Sequence, residues 1–234
     1  MSEKAIAIIT ARGGSKRIPK KNIKEFCGKP IIAYSIRAAL DSGIFDEVMV
    51  STDSEEIAEI ARAYGAKVPF MRSAKTSDDF ATTADVLMEV LERYQEMDRT
   101  FDVMSCIYPT APFVTPQKLQ SAYDTLTKEQ AVMAMPVVAF SYPPQRSYVF
   151  NGNMLEMKWK ENYNKRSQDL EKMYHDAGQF YMYQVETFIR LKGQMTESIV
   201  PVIVDEMEVQ DIDNESDWKL AELKYQMIKM RNKE

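Results

Sequence analysis

The residues best suited to chemistry lie early in the chain. From Arg12 to Lys24 there are six cations (Arg12, Lys16, Arg17, Lys20, Lys21 and Lys24) and no acid, in a protein whose net charge is −5. Such crowding is repulsive unless an anion lies among the charges. Gly13 and Gly14 let the backbone turn tightly and bring its N–H groups close to a ligand. A cradle of N–H groups backed by Arg and Lys points to phosphates. The spacing is neither that of a P-loop nor the G-x-G-x-x-G dinucleotide fingerprint. The competing reading is a solvated basic loop.

A second candidate is Gln210-Asp211-Ile212-Asp213. In an extended segment residues two apart face the same way, so Asp211 and Asp213 could share one cation. Two carboxylates with substrate phosphates suit Mg²⁺. Equally, Asp213, Asn214 or Ser216 could cap a following helix. A third segment pairs Lys165–Leu170, which contains Arg166 and Gln168, with Tyr174–Tyr181, which contains the single histidine, His175. His175 could serve acid–base chemistry, or be a hydrogen-bonded structural residue. Arg72 could meet a base or phosphate, or a surface carboxylate. Asp78 and Asp79 could touch a ribose or cap a helix.

The elements that must position these groups alternate. Buried strands are expected at Ala5–Thr10, Glu47–Ser51, Lys67–Phe70, Asp102–Tyr108 and Ala131–Val138. Helices are expected after Pro30 up to Gly43, from Asp53 or Ser54 to Gly65, from Thr82 or Thr83 to Glu96, and over Pro116–Thr127. Strands without in–out alternation, separated by helices, predict a Rossmann-like doubly wound, mostly parallel sheet. The basic loop then lies at the C-terminal end of the first strand, where open α/β sheets bind ligands. From about 140 to 175 the alternation breaks. Asn151-Gly152-Asn153 there predicts a hairpin, and such an excursion serves as a lid or an oligomer contact. Gln179–Tyr183 and Ile199–Val204 return to strand character, and Asn214–Met230 predicts a terminal amphipathic helix. The whole, 1–234, is read as a single domain with that insertion.

Composition limits the function classes. A pI near 5.2 argues against general nucleic-acid binding. No apolar run approaches a membrane span, and the N-terminus lacks signal-peptide features. Cys27 and Cys106 match no metal spacing. A reduced, cytoplasmic protein is expected. A nicotinamide oxidoreductase would need the missing glycine fingerprint, and a hydrolase triad finds no support.

With these segments in hand, Ile9-Thr10-Ala11-Arg12-Gly13-Gly14-Ser15-Lys16 with Lys20-Lys21-Asn22 resembles the opening motif of the acylneuraminate cytidylyltransferases, the CMP-sialic acid synthetase family, which has Pro in place of Thr10. Ser51-Thr52-Asp53, Pro69-Phe70-Met71-Arg72, Tyr108–Pro112, Arg166–Leu170 and Gln210–Asp213 follow in the family's order. The likeness runs from Ile6 to about Tyr225. It implies that Ala11, Arg12, Gly13, Gly14, Ser15, Lys16, Lys21, Asn22 and Arg72 bind CTP, and that Asp211 and Asp213 hold Mg²⁺. Arg12, Lys16, Lys21, Asp211 and Asp213 would form the catalytic set. The acidic sugar would meet Tyr108, Arg166, Gln168, Tyr174, His175, Gln179, Phe180 and Tyr181. It also implies a homodimer through residues around 140–175, in which each partner helps complete the other's site.

Two departures bear on the sugar. N-acetylneuraminate enzymes read Gln-Pro-Thr-Ser-Pro-Leu-Arg where this chain has Tyr108–Val114, and Asn-Gly-Ala-Ile-Tyr where it has Ala177–Tyr181. Both strings look like the branch that activates pseudaminic acid, a nine-carbon acidic sugar. N-acetylneuraminate, legionaminate and Kdo are the alternative substrates, and a non-catalytic nucleotide-binding module the alternative of another class. The implied reaction is attack of the sugar's anomeric hydroxyl on the α-phosphorus of CTP, with pyrophosphate leaving.

Overall fold

A computed structural model describes residues 3–231. The first strand, β1 (Ala5–Thr10), is apolar and buried up to Thr10, which is half-buried. A 3-10 turn at Lys21–Ile23 and a two-residue ribbon, β2 (Glu25–Phe26) with β3 (Lys29–Pro30), carry the chain to α1 (Ile32–Ser42). Gly43, at φ +68°, ends α1, a left-handed position that glycine fills without strain. There follow β4 (Glu47–Ser51), α2 (Glu55–Ala63) capped by Ser54, and α3 (Thr83–Gln95) opened by a Thr82/Asp85 capping box. β5 (Val103–Ile107) and α4 (Pro116–Lys128) precede β6 (Met133–Ala139).

The insertion holds an antiparallel hairpin, β7 (Tyr148–Asn151) and β8 (Met154–Met157), turned at Gly152. The chain returns along β6 as β9 (Tyr174–Asp176) and β10 (Phe180–Gln184), then runs through α5 (Val185–Arg190), β11 (Ile199–Ile203) and α6 (Glu215–Arg231).

The main sheet is ordered β11-β6-β10-β5-β1-β4, with β9 also on β6. β1 is parallel to β4 and β5, and β11 is parallel to β6. β10 runs antiparallel between β5 and β6. β6 reaches β10 with no α-helix between them, and the helical crossover that usually joins parallel neighbours is absent. The α/β, mostly parallel expectation is therefore met, with one reversed central strand.

One core layer packs α1, α2 and α4 on the sheet, and a second packs α3 and α5 on the other face. A third, smaller cluster joins Ile18, Phe26, Phe113, Ile212, Trp218 and Ala221. It matters for function because it clamps the basic loop, through Ile18, to the segment that carries Asp211 and Asp213, through Ile212. The rings of Trp218 and Tyr225 meet Phe26 edge-on at 5.7 and 5.5 Å, anchoring α6 there.

Two expectations change. Lys67–Phe70 is not a strand but a single parallel bridge, Lys67 to Met49. α6 is not amphipathic in the simple sense. Trp218 and Ala221 are buried, while Leu220, Leu223, Met227 and Met230 are exposed on the opposite side, so it has two apolar faces. Among the described residues no helix is long and apolar enough to cross a membrane.

Candidate active site

A cavity of about 500 Å³ opens at the C-terminal ends of β1 and β5. Arg12, Ser15, Lys16, Lys21, Asn22, Arg72 and Tyr108 all line it. Arg17, one of the six cations, and Asp79, weighed above as a ribose contact, join them, with Thr10, Thr83 and Thr110, which sequence reasoning did not place in the site. Nothing in the sequence brings the turn at 78–81 to the loop.

The loop is held by its own chain. The Asn22 side-chain amide donates to the Arg12 carbonyl at 2.9 Å, and the Ala11 N–H donates to the Ser51 carbonyl at 2.9 Å. The Gly13 N–H donates to Asp53 Oδ1 at 2.7 Å. The Ser15 N–H donates to the Gly13 carbonyl at 3.0 Å, so the chain does turn tightly there, but neither glycine has a positive φ and the turn needs no left-handed backbone. Gly13 is needed for close approach, since a Cβ there would lie 3.1 Å from the Ser54 Cβ. A Cβ on Gly14 would meet nothing within 4 Å.

The six cations divide into two groups. Lys20 pairs with Glu56 at 2.7 Å and Lys24 with Glu215 at 2.7 Å, bracing the loop against α2 and α6. The other four line the cavity. Arg12 reaches Asp79 Oδ1 at 2.8 Å, and Lys16 pairs with the other oxygen of the same carboxylate. Arg17 reaches Asp213 Oδ2 at 2.7 Å, and Lys21 Nζ donates to the Ile212 carbonyl at 2.7 Å. Burial lowers the Lys21 ammonium below its ordinary value, opposed by the carboxylates of Asp213 and Asp211.

Arg72 is buried at the cavity wall. Its guanidinium donates through Nε to Ser51 Oγ at 3.0 Å and through Nη2 to the Ser51 carbonyl at 2.6 Å. Desolvation lowers its pKa, resisted by Asp53 and Glu89. The surface-carboxylate reading of Arg72 therefore fails.

Asp211 and Asp213 lie beside Arg17 and Lys21 rather than in the cavity lining. Ile212 between them is buried, Asp211 is exposed and Asp213 is half-buried. Neither caps α6. Asn214 Oδ1 accepts the Ser216 and Asp217 N–H groups, and the Asp213 N–H donates to Asp217 Oδ2 at 2.9 Å. Among the described residues no cluster of three or more His, Cys, Asp or Glu could hold a metal alone. A pair of hard carboxylates that needs substrate oxygens to complete its sphere fits Mg²⁺.

The residues expected at the sugar are scattered. The Tyr181 ring packs edge-on against Tyr108 at 5.6 Å, and its hydroxyl donates to Asp176 Oδ2 at 2.6 Å. Burial and Asp176 raise the Tyr181 pKa, so it stays a phenol. Phe180 points to the other face of the sheet and is wholly inside the core, where no ligand reaches its ring. Gln179 is also buried, with Nε2 on the Glu208 carbonyl and Oε1 unpartnered. Arg166 and Gln168 are on the exposed insertion, and Arg166 holds Asp169 in a bidentate pair at 2.8 and 3.0 Å. Tyr174 and His175 are exposed on β9, with His175 packed against Phe140 at 4.8 Å. In one copy of the chain these four residues do not line the cavity.

A mostly parallel sheet ending in a cationic cavity, with a paired carboxylate beside it, defines a nucleotidyltransferase. A family model described as cytidylyltransferase matches residues 6–221, and the chain belongs to that family. It is 41% identical over 225 residues to a pseudaminic acid cytidylyltransferase of Campylobacter jejuni, covering 96% of this chain and 97% of that protein. It is 34% identical to a CMP-N,N'-diacetyllegionaminic acid synthase of Legionella pneumophila, covering 93% and 94%. Among solved structures, CMP:2-keto-3-deoxy-manno-octonic acid synthetase complexed with CTP superposes with a TM-score of 0.69. That match has 20% identity, over 97% of this chain and 99% of that one, and shows the shared fold.

Proposed function

We propose that this enzyme transfers CMP from CTP to a nonulosonic acid, with pseudaminic acid the favoured substrate. The observation that carries the reading is the shared cavity: the Arg12–Asn22 loop and Tyr108 face the same 500 Å³ of space. Four lining cations can neutralise a triphosphate at one end, and Tyr108 backed by Tyr181 offers a phenolic wall at the other. The substrate choice rests on those tyrosines and on the likeness to the Campylobacter enzyme.

In this reading Arg12, Lys16, Arg17 and Lys21 orient the phosphates and offset the charge that gathers on the departing pyrophosphate. Ser15 and Asn22 shape the loop around them, and the buried Arg72 fixes the end of β4 behind the nucleotide. Asp211 and Asp213 would hold Mg²⁺, which supplies Lewis-acid polarisation of the α-phosphate and the attacking hydroxyl. The rest is positioning. Holding the anomeric hydroxyl in line with the α-phosphorus converts a bimolecular step into a near-unimolecular one.

The same proposal includes a homodimer. Both hairpin strands are exposed, with Phe150 81% and Met154 72% accessible, and Tyr142 nearby is 88% accessible. So large an apolar display on an insertion suits a second copy. A partner's insertion could then bring Arg166, Gln168, Tyr174 or His175 to the cavity that they do not reach within one chain.

The test is pyrophosphate release from CTP and Mg²⁺ with pseudaminic acid, N-acetylneuraminate, legionaminate or Kdo supplied separately. Release with pseudaminic acid above the others is expected. Release with another acid alone would overturn the assignment of the tyrosine wall. CTP binding without release for any of them would favour a non-catalytic nucleotide-binding module.

A further inference from the structure

The turn between Arg72 and α3 carries a carboxylate into the cationic cavity. Asp79 takes Arg12 on one oxygen and Lys16 on the other. The turn is built to present it. Asp78 Oδ1 accepts the Phe80 and Ala81 N–H groups at 2.9 and 2.8 Å, and the Asp78 carbonyl accepts Arg12 Nη1 at 3.1 Å. The Thr82/Asp85 capping box starts α3 immediately afterwards. Asp79 itself makes no hydrogen bond within the turn, and both its oxygens serve the loop. Those two cations hold its pKa below the ordinary carboxylate value.

We infer that Asp79 is an affinity-setting residue that competes with the polyphosphate for Arg12 and Lys16. This rests on the reading of the loop as the polyphosphate site. A phosphate oxygen that approaches either cation meets the same carboxylate, so ligand binding sets one anion against another. The competition weakens CTP and pyrophosphate alike. Its use is at the end of the reaction, when Asp79 returns to Arg12 and Lys16 as pyrophosphate departs and hinders its rebinding. No bond is made or broken in this step. The partners are half in water, and exposed ion pairs are individually weak, so removing both contacts is expected to change affinity about fivefold.

The sign of the effect separates this role from that of a ribose or phosphate ligand. Asp79→Asn should bind pyrophosphate about fivefold more tightly by calorimetry without added metal, and should lower the inhibition constant of pyrophosphate in the transfer reaction. The apparent dissociation constant for CTP should fall by a similar factor. Glu92→Gln, on the far side of α3, changes net charge equally and should leave all three values alone. Unchanged or weaker pyrophosphate binding in Asp79→Asn would overturn the inference. The same tightening in Glu92→Gln would reduce it to a general field effect and overturn it too. If the parent enzyme bound neither CTP nor pyrophosphate, the loop would not be a polyphosphate site, and the function proposed above would fail first.

Discussion

Gly13 and Gly14 are adjacent and indistinguishable in the sequence, yet their replacement by alanine should have opposite effects. A Cβ on Gly13 would stand 3.1 Å from the Ser54 Cβ, so the loop or the start of α2 must give by a few tenths of an ångström. That movement strains the 2.7 Å bond from the Gly13 N–H to Asp53. A bond to a charged acceptor contributes about 1.5–3 kcal/mol when intact, and the exposure of Asp53 puts this one at the low end. We expect Gly13→Ala to cost about 1–1.5 kcal/mol, a Tm lower by roughly 2–6 °C for a chain of this length. If the displaced loop carries its cations with it, KM for CTP rises about three- to tenfold. Gly14→Ala meets no atom within 4 Å and needs no left-handed backbone. Stiffening the unfolded chain there should raise stability by about 0.4–1 kcal/mol. Thermal melts and CTP saturation curves for the two variants decide the matter. An unchanged Tm and KM in Gly13→Ala, or equal destabilisation by both, would refute the close-approach argument. A loss of CTP affinity in Gly14→Ala at raised Tm would instead show that a phosphate occupies the open space.

Arg72→Lys replaces two directed bonds to Ser51 by at most one, at a buried site. It should cost about 2 kcal/mol, or a Tm drop of roughly 4–8 °C, with a full-length expression check by circular dichroism; an unaltered melt would mean that Arg72 is held for ligand contact alone. Asp211→Asn and Asp213→Asn should each lower pyrophosphate release by about a hundredfold at saturating Mg²⁺, and near-normal turnover would remove the pair from the metal site. Burial opposes ionisation of Glu47, but Arg99, Tyr94 and Lys67 outweigh it and lower its pKa. A lowered carboxylate stabilises the fold above its unfolded pKa, and that contribution is lost as pH falls through the folded value, below the ordinary 4.5. Glu47→Gln should therefore remove about 2 kcal/mol at pH 7, discounted because Arg99 and Lys67 are half in water, and should flatten the acid limb of a pH–Tm profile; a parallel shift at every pH would count against the linkage. Phe150→Asp with Leu155→Asp should give a monomer by sedimentation, and a persistent dimer would place the interface elsewhere.

The sheet and most helix ends were readable because their signals are local. β1 is apolar from Ala5 to Ile9, β4 has the apolar centre Val48-Met49-Val50, Ser54 and Thr82 are side-chain caps, and Gly43 and Gly65 are left-handed stops. The hairpin was readable from Asn151-Gly152. The reversed direction of β10 was not, because it depends on a missing crossover rather than on any residue in the strand. Phe180 and Tyr181 show the same limit at the site. Both are aromatic, but alternation sends Phe180 into the core and leaves Tyr181 against Tyr108. α6 was misjudged because its exposed stripe is as apolar as its buried one, which cancels the periodic signal. The cationic loop was found by charge density, but the division of its six charges was not, since Asp79, Asp213 and Glu215 approach from 63, 196 and 191 residues away along the chain.

That division explains how a loop with six cations can keep a defined shape. Each cation has an acceptor: a carboxylate from α2 or α6 for the two braces, Asp79 for Arg12 and Lys16, Asp213 for Arg17, and a backbone carbonyl for Lys21. The braces lie outside the cavity lining and can stay in place when a ligand enters. On the proposed reading, the Asp79 contacts are the ones that phosphates would contest. Arg17 is in a third position, since its acceptor is one of the two carboxylates suited to a cation. A cation on Asp213 would weaken the pull on Arg17 and free it to turn toward the cavity that it already lines. If the carboxylate pair holds Mg²⁺ and the loop holds phosphates, the two would be coupled through the 2.7 Å contact of Arg17 with Asp213. Arg17→Ala should for that reason make CTP affinity less dependent on Mg²⁺, not merely weaker. Equal loss of affinity with and without the metal would show that Arg17 contributes charge alone.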